Sequence, residues 1–149
     1  MTLRERFDGE QLLLDTGALA KWLNANDRTF ARELDEARAA RPPMTCTIRP
    51  VVCETLRGLR NRFDIPRLAD RITRHTPIVE VTPANWLAAS DIYIATRAAG
   101  YAAPLSITDT LLVAVSARTG ATVVTFDEQD FAAMRQTAPR CGYVVPVPS

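Results

Sequence analysis

Short, fully apolar runs alternating with longer helical stretches predict an α/β fold, a parallel sheet covered by helices on both faces. Three observations carry this. The runs Gln11-Leu-Leu-Leu14 and Thr122-Val-Val-Thr-Phe126 are too short and too uniformly apolar for amphipathic helices. The stretches between such runs open on capping residues and close on Gly or Pro. At 149 residues with 47% apolar side chains, the chain is long enough to bury a real core and is most simply one domain, 1–149.

Element by element, Gln11–Leu14 reads as a buried strand and Thr16–Leu23 turns helical at once. Asn26-Asp27 caps a second helix, which runs to about Ala40 and is stopped by Pro42-Pro43. Met44–Thr47 is a short strand, and Pro50 starts a helix holding Glu54, Leu56 and Leu59. Asp64–His75 is an amphipathic helix, and Ile78–Val81 a third strand. Pro83 opens a long helix ended by Gly100, and Thr108–Thr119 forms a helix stopped at Gly120. Strand Ala121–Phe126 follows, and Tyr143–Val147 adds a last one.

Composition narrows the chemistry. Met1–Glu10 is charged throughout and no apolar run reaches the length of a membrane span, so a cytoplasmic protein is expected, with no membrane partner. Cys46, Cys53 and Cys141 have no paired spacing and are expected to be buried free thiols. His75 is the only histidine and lies in a polar segment before Pro77, which gives Ser-His-Asp or Cys-His chemistry little support. The net charge is only +1, but Arg28 to Arg74 holds eleven arginines against six acids. That stretch is either a basic face or an ordinary solvated helical surface.

Four acids stand where an apolar run breaks or a helix begins: Asp15, Glu54, Asp109 and Asp127. In a parallel sheet, ligands bind beyond the carboxyl ends of the strands. Asp15 and Asp127 follow strands directly, Glu54 lies about one turn into a helix, and Asp109 lies in the first turn of another. All four can therefore face one crevice. Two carboxylates about 5 Å apart repel by roughly 3 kcal/mol at an effective dielectric near 20, so such a cluster needs a divalent cation or shared protons at neutral pH. Each acid also has a purely structural reading. Asp15 and Asp127 can cap helices, Asp109 can close a Ser106-x-x-Asp109 capping box, and Glu54 can sit on a helix surface.

The ordered set Leu12-Leu-Leu-Asp15-Thr16, Pro50-Val-Val-Cys-Glu54, Asp109-Thr-Leu-Leu-Val-Ala-Val-Ser-Ala-Arg-Thr-Gly120 and Thr122-Val-Val-Thr-Phe-Asp127-Glu-Gln-Asp130-Phe131 resembles PIN domains, and in particular VapC-type toxins of prokaryotic toxin–antitoxin pairs. The resemblance implies a Rossmann-like three-layer α/β/α sandwich and a Mg²⁺- or Mn²⁺-dependent endoribonuclease. It implies Asp15, Glu54, Asp109 and Asp127 as metal-binding catalytic acids, with Thr16, Thr125 and Asp130 in support. Asp130 is the reserve for the fourth acid, since it matches the Asp-Phe that commonly follows. Asp91, on the long helix, lies outside this set and reads first as a solvated helix residue and second as an accessory acid. RNA as substrate, a small antitoxin as partner and a homodimer follow from the same resemblance. The antitoxin is expected to insert an arginine among the carboxylates and to anchor in a groove drawn from Leu19, Trp22, Leu23, Phe30, Leu34, Leu56 and Leu59.

Other readings compete. Asp15-Thr-Gly17 is the triplet of aspartic proteases, but here it leads into a helix rather than a β-rich fold. A receiver-like phosphoacceptor shares the α/β plan, yet it needs a lysine near a late strand, and Lys21 is the only lysine. The serious alternatives are a PIN-like interaction module without catalysis, which would lack a metal ligand, and a PIN nuclease of RNA processing without an antitoxin, which would lack a neighbouring antitoxin gene.

Overall fold

The computed structural model describes residues 11–24, 28–40, 45–59 and 64–146. The helix cap expected at Asn26-Asp27, the Pro42-Pro43 stop and the charged N-terminal decapeptide lie outside the described residues. Four short strands form one parallel sheet: β1 (Leu12–Leu14), β2 (Thr45–Cys46), β3 (Thr122–Val124) and β4 (Gly142–Val144), in the order β2-β1-β3-β4. Seven helices accompany them among the described residues: α1 (Thr16–Leu23), α2 (Thr29–Ala40), α3 (Arg49–Leu59), α4 (Ile65–His75), α5 (Pro83–Ala98), α6 (Ile107–Thr119) and α7 (Glu128–Thr137).

The helices fall into two packed groups. Helix α1 contacts α2 and α3, and α3 contacts α4, whereas α5, α6 and α7 contact one another. Strands β1 and β3 are buried along their whole length, as strands covered on both faces must be. The expected three-layer α/β/α arrangement is therefore the one observed. Helix α6 is buried continuously from Thr110 to Ser116, because its residues Thr110-Leu-Leu-Val-Ala-Val-Ser116 are small or apolar around the whole circumference.

Local chemistry sets the helix ends. Thr82 and Asn85 form a reciprocal capping box ahead of α5, with Pro83 in its first turn. Gly120 ends α6 at φ 77°, a left-handed conformation that costs glycine nothing.

Two expectations are corrected. Ile78–Val81 is not a strand, and only Ile78 pairs, through a single parallel bridge with Thr47. Pro77 has no amide proton to give, and the Thr82 cap turns the chain into α5 within a few residues, so a ladder beside two-residue β2 cannot extend. Cys53 is exposed, while Cys46 and Cys141 are the buried free thiols. It follows buried Val51 on α3 and projects from the opposite face of that helix.

The apolar set expected to line a partner groove is largely interior. Leu19, Trp22, Leu23, Phe30 and Leu34 belong to the core, and Leu56 and Leu59 pack against it.

Candidate functional site

The carboxyl ends of β1 and β3 are level, since Leu14 pairs with Val124, so the residues after them are neighbours. Asp15 donates its amide to the Val124 carbonyl at 3.2 Å. It caps α1 by accepting the Ala18 amide on Oδ1 at 2.7 Å. Its side chain also takes a hydrogen bond from Thr125, whose Oγ1 accepts the Asp127 amide at 2.9 Å. Only 6% of Asp15 is exposed. Burial holds its carboxyl above the ordinary range and the negative charge of Asp127 adds to this, against the opposing bonds from Thr125, Ala18 and Gly17.

Asp109 enters from the first turn of α6, where its amide donates to the Ser106 hydroxyl at 3.0 Å. Its pKa is pushed up to about 7, first by burial and then by the charges of Asp15, Asp130 and Asp127, while a bond from Ser106 opposes the rise. Asp127 caps α7 by accepting the Asp130 amide at 3.3 Å. Asp130 lies one turn on, and its pKa is raised by burial and by the Asp127 charge, against a hydrogen bond from the Tyr101 hydroxyl. Four aspartates therefore act on one another at the carboxyl edge of the sheet, and the capping and clustering readings of Asp15 and Asp127 hold together.

Glu54 is held differently. Its Oε2 accepts from Thr16 on α1 at 2.8 Å and its Oε1 from Thr108 on α6 at 2.6 Å. The clasp joins helices from both layers above the sheet edge. Thr16 and Thr125 thus both support carboxylates, Thr16 serving Glu54 and Thr125 serving Asp15. Asp91 is exposed on α5 and is not among the charges that act on the cluster.

Sequence reasoning missed Thr108 and Tyr101. Thr108 had a local signal, a hydroxyl directly before the helix-initial Asp109. Tyr101 had none, because its partner lies 29 residues on.

The donor set fits a hard divalent cation. Every candidate ligand is a carboxylate oxygen. The ion pairs Arg49–Glu80, Arg67–Asp64 and Arg74–Asp70 lie away from the cluster, where the charge of Arg97 acts on Asp130. Among the described residues no three such side chains close around one point. An open arrangement is compatible with Mg²⁺, which keeps several waters and needs only one or two direct carboxylates.

The PIN domain family matches residues 12–136. Curated protein sequences give no match. Among solved structures, the chain is similar to VapBC2 from Rickettsia felis bound to a promoter DNA fragment, at TM-score 0.70 and 15% identity over 90% of this chain and 97% of that one. It is also similar to FitAcB from Neisseria gonorrhoeae, at TM-score 0.69 and 16% identity over 89% and 96%. A third is VapC20 of Mycobacterium tuberculosis, described as a sarcin–ricin loop cleaving toxin, at TM-score 0.61 and 23% identity over 83% and 95%. The family match spans most of the chain, and the fold is that of VapC-type toxin structures: the protein belongs to the PIN domain family.

Proposed function

We propose that this protein is a metal-dependent endoribonuclease, acting as a single PIN domain and as the toxin of a toxin–antitoxin pair. The observation that carries the reading is the cluster of Asp15, Asp109, Asp127 and Asp130, where burial and then mutual repulsion raise Asp109 to about 7. Such a cluster costs stability by itself and is offset by a cation.

Asp15, Glu54, Asp109 and Asp127 would hold Mg²⁺ or Mn²⁺. When bound, the cation supplies Lewis acidity at the scissile phosphate and acidifies a water. The chain's own residues provide position. Thr125 and two backbone amides fix Asp15, and Thr16 and Thr108 fix both oxygens of Glu54. Exposed arginines such as Arg57 on α3 suit contacts to the RNA backbone, which position a substrate without reading its sequence.

The partner reading rests on fold likeness to toxin–antitoxin complexes, and the target reading on VapC20, described as a sarcin–ricin loop cleaving toxin. A cytoplasmic site of action suits both, and no described helix is long and apolar enough to cross a membrane. The test uses the purified full chain on synthetic RNA. Cleavage with Mn²⁺, none in excess EDTA and none by Asp15→Asn are expected; equal cleavage in EDTA rejects the reading. Co-expression with the neighbouring gene product should suppress toxicity and co-purify a small protein. An active nuclease that is harmless alone and has no such partner is instead an RNA-processing enzyme.

A further inference from the structure

The loop between α5 and α6 brings an aromatic hydroxyl to the acidic crevice. Gly100 takes φ 97° after α5 and turns the chain back. The Tyr101 backbone is then fixed on both sides: its amide donates to the Thr96 carbonyl at 3.3 Å, and its carbonyl accepts from the Arg97 guanidinium at 2.8 Å. From this anchored position the phenol reaches α7 and donates to Oδ1 of Asp130. Helices α5 and α7 are also joined by the Thr96 and Thr137 hydroxyls at 3.1 Å. The bond therefore links elements that are already packed, and little ordering entropy opposes it.

The two acids at the start of α7 are thereby given different surroundings. Asp127 is oriented by its cap to the Asp130 amide and its charge reaches both Asp15 and Asp109, whereas Asp130 is oriented by Tyr101 and its charge acts on Asp109 but is not among those that act on Asp15. A phenol is a neutral donor, so it orients a carboxylate without cancelling the charge that a cation needs. The guanidinium of Arg97, which donates to the Tyr101 carbonyl and lies over the Tyr93 ring at 5.2 Å, also acts on Asp130 and favours its charged form.

We propose that Tyr101 is a positioning residue of the metal centre, its hydroxyl holding Asp130 as an additional ligand on the Asp109 side of the crevice. This rests on the metal-dependent reading above. The test is Mn²⁺ binding by calorimetry to the full chain, with melting temperatures measured without and with Mn²⁺, for wild type, Tyr101→Phe, Asp130→Asn and the double variant. Tyr101→Phe should weaken Mn²⁺ about tenfold, as loss of a partner that orients a ligand does. In the Asp130→Asn background the same change should have no further effect. Tyr101→Phe binding within about twofold of wild type, or an equal loss in the Asp130→Asn background, overturns the proposal. Asp130→Asn removes the charge while keeping a group that can accept from Tyr101. Binding within twofold of wild type in that variant overturns the proposal even if Tyr101→Phe does not fold. Wild type that binds no Mn²⁺ rejects the metal centre itself, which separates the two failures.

Discussion

Asp109 is a half-buried acid whose pKa in the fold, about 7, lies above the 3.8 of a free aspartate. The folded chain thus holds this proton more tightly than the unfolded one, so the contribution of Asp109 to stability is fully present below about pH 4 and is lost as pH rises through 7. A shift of this size corresponds to an upper bound of about 4 kcal/mol. Without metal, Asp109→Asn should therefore raise the melting temperature at pH 7.5 more than at pH 4.5, while abolishing cleavage. A melting curve series across that range checks it, and equal effects at both ends would remove the crowding argument. Glu54 gives a second case at this scale. Thr108→Val removes one of two hydroxyls donated to it, a loss of about 1.5–3 kcal/mol for a hydrogen bond to a charged group. The loss should shrink in a Glu54→Gln background, where the acceptor is neutral, and urea unfolding of the four variants measures that coupling.

Elements matter here because their ends build the site. Helices α1 and α7 both begin on aspartates that also face the crevice, so the caps hold carboxylates at the sheet edge without further scaffolding. At the other end of α6, Gly120 is left-handed and a Cβ there would meet nothing within 4 Å. Gly120→Ala should then cost only the backbone strain, about 1 kcal/mol, or about 3 °C in a chain of this length. Nuclease activity should be unchanged at 25 °C. A much larger loss would show that the turn carries more than local conformation.

Over the whole molecule, apolar side chains remain uncovered on one face. Trp86, Leu87, Tyr93, Ile94 and Ile107 are between 42% and 72% exposed, and Trp86, Tyr93, Ile94 and Ile107 help line a groove of about 440 Å³ along α5 and the start of α6. It is on contiguous apolar surface of this kind that the homodimer expected from the family resemblance would close. Ile94→Glu should convert a dimer to monomers in light scattering at micromolar concentration, with the fold retained by circular dichroism. An unchanged mass would place the dimer elsewhere. The face is distinct from the arginine-rich half of the chain, where Arg49, Arg67 and Arg74 already pair with exposed acids.

The sequence alone determined what is encoded over a few residues. Apolar runs gave the strands β1 and β3, capping residues and glycines gave the helix ends, and Asp15 directly after β1 and Asp127 as the cap that follows β3 had their place from the same short-range stereochemistry. Tertiary structure decided the rest. Whether Ile78–Val81 could extend as a strand depended on its two-residue neighbour and on the turn into α5. Which hydroxyls hold Glu54 depended on α3 meeting α6 across 54 residues of sequence. The place of Asp130 in the acidic cluster depended on a loop tyrosine with no sequence signal of its own. Hydrogen bonds between residues so far apart follow from how the packed layers converge at the sheet edge, and no local pattern specifies that convergence.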